Sequence, residues 1–202
     1  MSGRDTRGPR GAGAPGAEEL RTAIAAVEAR PSGSSDLPPL APEAHEAANA
    51  ALRLLRYRPR SEHELRERLL DKEYAAEAVD EALGRVRAWG LVDDADFAEE
   101  WVRGRRRRRG RSRGALEREL RDKGVAEAHI ARAVGEIDES DDRREAAELV
   151  RGRLDRRPRA ALSGPDVQGE RRRLIAFLAR RGYPTGLAVK VVDAELAAHA
   201  SP

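Results

Sequence analysis

The sequence contains no cysteine, which excludes disulfide bonds and thiolate metal sites and favours a reducing compartment such as the cytoplasm. Aromatic residues make up only 3% of the 202 residues, too few to fill one large core. No apolar run approaches the roughly 18 residues of a membrane-spanning helix, and the N-terminus lacks the apolar stretch of a signal peptide. We therefore expect a soluble cytoplasmic protein without a membrane partner.

Residues that could support catalysis do not form a recognisable site. The sequence has no GxxxxGK[ST] phosphate loop and no HExxH motif. Asp93, Asp94 and Asp96 could bind Mg²⁺, but negative charge is also favourable at the start of a helix, which is the better explanation. We expect no enzymatic activity, no metal and no cofactor. The four histidines fall at unrelated spacings: His45, His63, His129 and His199.

The residues that are abundant favour helices. Charged residues make up 37% of the chain, and the apolar residues are mostly Ala, Leu and Val. Ala, Leu, Glu and Arg are strong helix formers, so an all-α fold is expected. Residues 1–44 are rich in Gly, Pro and Ala, and we interpret them as a disordered tail. The alternative is a short helix, with Leu20, Ile24 and Val27 on one face, that docks on the rest of the protein.

An internal repeat predicts how the helices are organised. A shift of 51 positions places SEHELRERLLDKEYAAEAVDEALGRV, from Ser61, on SRGALERELRDKGVAEAHIARAVGEI, from Ser112, without a gap. A further shift of 58 aligns Leu174 and Leu178 with Leu116 of the second copy and the leucine four residues after it. Each copy reads as three helices joined by turns. The repeat therefore predicts an elongated array of three tandem three-helix units, at residues 45–92, 93–139 and 140–202.

Local signals predict several helix ends. Ser61 followed by Glu64 is the pattern of a capping box, and Asp93 is suited to cap the first helix of the second copy. A glycine followed by an apolar residue typically closes a helix through a left-handed backbone conformation. Three such glycines occur: Gly90, Gly124 and Gly182.

The charge of the chain is concentrated in one stretch. Residues 100–123 carry a net charge of +7, whereas the other 178 residues sum to −4. Five consecutive arginines cannot share one face of a helix, since successive side chains are about 100° apart, so the run should lie at a helix end or in a loop. We predict that it binds a partner or phosphate groups, although capping and solubility also explain such charge. The candidate contact residues are Arg103, Arg105, Arg106, Arg107, Arg108, Arg109, Arg111 and Arg113, with Lys72 and Lys123 at equivalent positions of two copies.

Three stretches, in order, resemble the RecX family of bacterial regulatory proteins. They are ALRLLRYRPRSEHELRERLLDKEY, GLVDDADFAEEWVRGR and SRGALERELRDKGV. The resemblance covers about Ala48 to Leu196 and leaves out the N-terminal tail. An insertion, Arg156 to Gly169, lengthens the third copy.

The resemblance implies a monomeric regulator of recombination and DNA repair. It would lie in the helical groove of a RecA recombinase–DNA filament and inhibit ATP hydrolysis and strand exchange, or promote disassembly. The contacts would be electrostatic, and the sequence does not separate DNA phosphate from acidic protein surface, because guanidinium groups bind both. One alternative is a direct helical DNA-binding protein, although Asn49 and Gln168 are the only side-chain amides available to read bases. Another is a helical scaffold without nucleic acid.

Overall fold

The computed structural model describes residues 17–29, 37–156 and 167–200, and within these ranges it contains helices and no strand. The predicted all-α class is confirmed. Most of the insertion after Arg156 lies outside the described residues. The helices are α1 Ala17–Glu28, α2 Pro42–Tyr57, α3 Glu62–Leu70, α4 Ala76–Ala88, α5 Asp94–Arg109, α6 Arg113–Arg121, α7 Glu127–Val134, α8 Glu139–Leu154, α9 Val167–Ala179 and α10 Thr185–Ala200.

The chain divides into two compact units, Met1–Phe97 and Ala98–Pro202. In the first unit, α2 and α4 form the main helix pair, and α3 packs against both. The core consists of aliphatic side chains that are fully or almost fully buried, among them Leu55, Leu65 and Leu83. The predicted divisions at residues 92 and 93 and at residues 139 and 140 stay predictions.

In the second unit, α8, α9 and α10 enclose a core that includes Val150, Leu174 and Leu178. Helices α6 and α7 pack against each other and bury Leu116 and Ile130. Phe177 and Tyr183 are the aromatic residues of the α8–α10 core, so aliphatic packing supplies most of the buried apolar surface there.

Part of the predicted disordered tail forms helix α1. Leu20 and Ile24 are 2% and 0% exposed and pack in the core of the first unit, where α1 contacts α2. Such a short helix is marginal alone, and burial of these side chains in the core of the first unit stabilises it. For residues 17–28 the docked helix is therefore correct, and residues 1–16 and 30–36 of the predicted tail lie outside the described residues.

The predicted helix ends are confirmed. The amide of Glu64 donates to the Ser61 hydroxyl at 3.1 Å, and the Glu64 carboxylate accepts from the Ser61 amide at 3.4 Å, which completes the capping box. Asp93 Oδ1 accepts from the amides of Ala95 at 2.8 Å and Asp96 at 3.1 Å, so Asp93 caps α5. The three predicted glycines have positive φ angles: Gly90 at +69°, Gly124 at +68° and Gly182 at +90°.

At one helix end, the residue with a positive φ angle is not a glycine. Glu73 has a φ of +65°, and the 51-residue shift places it on Gly124. The amide of Tyr74 closes the turn on the Leu69 carbonyl at 3.4 Å, and the matching bond from Val125 is 3.1 Å. The two copies therefore use the same helix ending, but in the first copy a side chain occupies the left-handed conformation. That conformation costs a non-glycine residue about 1–2 kcal/mol.

We expect Glu73→Gly to raise the free energy of unfolding by about 1 kcal/mol, because glycine removes the steric penalty at positive φ but loses more chain entropy on folding. Urea denaturation followed by circular dichroism measures the change. Glu77→Gly is the matched control. It replaces an exposed glutamate inside α4 and should lower stability by up to about 1 kcal/mol. A lower stability of the Glu73→Gly variant would contradict a strained left-handed backbone at Glu73.

Candidate functional site

The consecutive arginines lie at the C-terminal end of α5, which remains helical through Arg109. Gly110, at a φ of +53°, ends the helix, and the Ser112 hydroxyl then caps α6 by accepting from the amide of Ala115 at 3.2 Å. Of the two predicted locations, the helix end is correct. Because successive side chains point around the helix axis, the arginines of the run have different surroundings.

One group of side chains surrounds Glu119. Its carboxylate lies 3.2 Å from Arg105 Nε and 2.9 Å from Arg111 Nε, and it accepts from the Trp101 indole at 2.9 Å. The Arg105 guanidinium carbon and Lys123 Nζ lie 4.0 and 4.2 Å from the centroid of the Trp101 ring, within cation–π range. Burial lowers the pKa of Arg105 although Glu119 opposes this effect. These basic side chains therefore hold α5 against α6.

A second group surrounds Asp142 on α8. One of its carboxylate oxygens accepts from the Arg106 guanidinium at 2.7 Å, and the two oxygens accept from the backbone amide of Arg113 at 3.2 and 3.1 Å. Asp142 is 8% exposed. The Arg113 side chain donates to Glu117 at 2.9 Å and to the Ile137 carbonyl at 2.9 Å. Asp142 thus links α5, α6 and α8, and both arginines are committed to contacts within the unit.

The first unit contains a related contact. Asp94 Oδ1 accepts from the backbone amide of Glu62, the first residue of α3, at 2.8 Å. The 51-residue shift aligns Glu62 with Arg113, the first residue of α6. In both copies, a carboxylate on the first helix of the next copy satisfies an amide that the start of the middle helix leaves free.

The remaining candidates differ in their accessibility. Arg103 pairs with Glu100 of its own helix. Lys72 is exposed, in the turn after α3 of the first unit. Three arginines of the run are exposed and make no ion pair within the described part of the chain: Arg107, Arg108 and Arg109.

The sequence did not predict the acidic partners of the arginines or the role of Trp101. Trp101 and Arg105 are four residues apart, which places them on the same face of a helix, so this contact could have been foreseen. Asp142 gives no such signal, because it lies 36 residues from Arg106 and the contact depends on the packing of α8.

The described residues contain no group of three or more His, Cys, Asp or Glu side chains suited to hold a metal ion. Among the helices that the structure describes, none is long and apolar enough to cross a membrane.

We expect Asp142→Ala to lower the free energy of unfolding by about 2–4 kcal/mol, because it leaves the Arg106 guanidinium and the Arg113 amide without their acceptor. Asp142→Asn should cost less, because the amide oxygen can still accept from Arg113. Thermal and urea denaturation provide the measurement. Asp80→Ala is the control, since it breaks an exposed pair with Arg66 and should cost about 0–1 kcal/mol. Equal effects of Asp142→Ala and Asp80→Ala would show that Asp142 is not a central contact.

Family models and individual relatives both match this chain to RecX proteins. A family model described as "RecX, first three-helix domain" matches residues 47–85, and one described as "RecX, second three-helix domain" matches residues 93–134. The regulatory protein RecX of Amycolatopsis mediterranei (strain U-32) is 46% identical over 143 residues, which are 71% of this chain and 79% of the relative. That of Mycobacterium tuberculosis (strain H37Rv) is 46% identical over 147 residues, covering 73% of this chain and 84% of the relative.

Two solved structures have a similar fold. The crystal structure of RecX from Lactobacillus salivarius aligns with a TM-score of 0.61 at 17% identity and covers 77% of this chain and 98% of that chain. A crystal structure of regulatory protein RecX aligns with a TM-score of 0.57 at 21% identity and covers 75% of this chain and 72% of that chain. At these identities the structures support the fold, and the family assignment rests on the sequence matches. The resemblance seen in the three sequence stretches is confirmed: the chain belongs to the RecX family of regulatory proteins.

Proposed function

We propose that this protein regulates homologous recombination and DNA repair by binding the RecA recombinase–DNA filament and inhibiting its ATP hydrolysis and strand exchange. It acts in the cytoplasm as a monomer, by binding and without catalysis. Membership of the RecX family supports the regulatory role. The observation that carries the binding mode is the exposed triplet Arg107–Arg109 at the end of α5.

The internal ion pairs narrow the set of contact residues. An arginine that already holds a carboxylate must give up that contact before it can bind another anion, and this loss reduces the net gain. Four arginines of the basic stretch already hold a carboxylate: Arg105, Arg106, Arg111 and Arg113. The triplet Arg107–Arg109 has no such partner within the described residues, so it can bind an external anion at lower cost.

The spread of the triplet favours a concave partner. Three consecutive helical residues cover about 200° around the axis, so they cannot all contact one flat surface. A groove with negative charge on both sides can contact all three. The groove of a filament that carries DNA phosphate and acidic side chains has this character, which supports the filament over an isolated flat acidic surface.

We expect replacement of Arg107, Arg108 and Arg109 together by Ala to weaken binding to recombinase-coated single-stranded DNA by at least about tenfold. Fewer cations are then released on binding, so the slope of log K against log salt should become shallower by about 2, at about 0.7 for each lost phosphate contact. The recombinase ATPase should remain high at concentrations of the variant that inhibit in the wild type. Alanine keeps the helix intact, since it is the strongest helix former.

The control removes the same charge elsewhere by replacing Arg53, Arg172 and Lys190 with Ala. All three are exposed and make no ion pair within the described residues. Binding affinity and salt slope should change little in this variant. An Arg107–Arg109 variant that keeps both wild-type values would rule out the triplet as a contact surface. Unchanged recombinase ATPase at stoichiometric amounts of the wild-type protein would rule out the proposed function itself.

A further inference from the structure

A second basic feature lies in the same unit, between α8 and the end of α9. It is an open pocket of about 290 Å³ in which three arginines face one glutamate. Its lining residues are Glu148, Leu149, Gly152, Arg153, Arg156, Phe177 and Arg181. The sequence did not single out this group, because its members come from separate helices.

Phe177 brings two of these positive charges together. The guanidinium carbons of Arg153 and Arg181 lie 3.9 and 3.8 Å from the centroid of its ring. Because both distances are measured from the same ring centroid, the two guanidinium carbons are no farther apart than the sum of these two distances. Phe177 itself is 5% exposed, so its ring supports the arginines and is not available for stacking with a base.

The position of Arg181 is fixed by the end of α5. Its Nε donates to the Arg109 carbonyl at 3.0 Å, and Arg111 donates to the Arg180 carbonyl at 2.7 Å. Burial, and then the positive charges of Arg153 and Arg111, lower the pKa of Arg181. Like charges are therefore held near one another by packing and by backbone hydrogen bonds, and the pocket is directly connected to the basic end of α5.

Two neighbouring arginines, Arg151 on α8 and Arg171 on α9, are neutralised by carboxylates. Arg151 forms a two-bond pair with Glu195, at 3.0 and 2.9 Å, and Arg171 forms one with Asp193, at 2.5 and 2.9 Å. Within the described residues, the three pocket arginines have no ion pair of this kind. Arg151 and Arg171 are therefore paired, whereas the three arginines of the pocket keep their positive charge.

We propose that this pocket binds a phosphate group of a nucleic-acid backbone, whose oxygens accept hydrogen bonds from Arg153 and Arg181. Each guanidinium group can donate charge-assisted N–H···O bonds of about 2.7–2.9 Å to phosphate oxygens, and both groups line the same pocket. A phosphodiester chain presents one charge per nucleotide in a continuous row, so one strand can contact both the pocket and Arg109. A folded acidic protein would need matching carboxylates at both places. The contact is independent of base sequence, because a phosphate group carries no information about the base.

This inference deepens the proposed function, because it assigns the DNA of the filament to a particular pocket, and it can be tested without recombinase. Fluorescence anisotropy of a labelled oligo(dT) strand measures binding by the full chain. Gly152 offers a variant that leaves the arginines in place, because a Cβ at this position meets no atom within 4 Å. Glu and Gln at position 152 have the same size and both favour a helix over Gly. We expect Gly152→Glu to weaken binding at least about tenfold and Gly152→Gln to weaken it less.

Substitution of an arginine in the pocket tests phosphate binding independently, through the salt dependence of oligo(dT) binding. Arg153→Gln should make the salt slope shallower by about 0.7, the value for one phosphate contact on a single strand. Arg172→Gln removes the same charge from an exposed position of α9 outside the pocket and should leave the slope unchanged. Equal loss in Gly152→Glu and Gly152→Gln also supports the pocket, since either side chain can block it.

Three results would overturn the proposal. The first is unchanged oligo(dT) affinity in both Gly152→Glu and Arg153→Gln. The second is a loss of filament binding in these variants without any loss of oligo(dT) binding, which would assign the pocket to an acidic protein surface. The third is stabilisation by inorganic phosphate, seen as a higher Tm, with oligo(dT) binding that does not depend on Arg153, which would indicate a free-anion site. In each case the separate Arg107–Arg109 variant still tests the proposed function.

Discussion

The carboxylate of Asp142 is the contact on which the arrangement of the basic surface depends. It accepts from the Arg106 guanidinium and from the first backbone amide of α6, so it fixes the end of α5 relative to α6 and α8. The direction of the exposed arginines follows from that position, since Arg107–Arg109 continue the same helix beyond Arg106. An almost completely buried acidic residue therefore determines where the accessible positive charge lies.

Ion pairing divides the arginines of this chain into two classes. Exposed pairs contribute about 0–1 kcal/mol each, so the stability of the units rests mainly on buried leucine, isoleucine and valine side chains. The pairs matter more for recognition, because each carboxylate neutralises a cation that would otherwise attract a polyanion. Two connected places keep positive charge without an ion pair in the described residues, the end of α5 and the pocket at Phe177. The formal net charge of the whole chain, +3, does not reveal this distribution of charge.

Local features could be predicted from the sequence, and distant contacts could not. The Ser61 capping box and the left-handed glycines depend on residues three to five positions apart, and the sequence shows these directly. Asp142, the partner of the Arg106 side chain and of the Arg113 amide, lies on α8, two to three helices away in the chain, and only packing brings these groups together. Helix α1 is an intermediate case. Its apolar spacing was visible, but its stability depends on packing in the core of the first unit. Glu73 could be found only by comparing the two copies, because glutamate itself gives no signal for positive φ.

The caps supplied by Asp94 and Asp142 have a consequence for synthesis on the ribosome. Glu62 and Arg113 begin helices whose capping carboxylates follow 32 and 29 residues later in the chain. A ribosome releases each middle helix before the residue that completes its N-terminus. Nascent α3 and α6 therefore have a free amide at their first turn until the next copy emerges, and folding should advance one copy behind translation. A gene fragment that ends just after α4 or α7 encodes a unit without its final contact, so minimal domains of this protein need the first turn of the helix that follows.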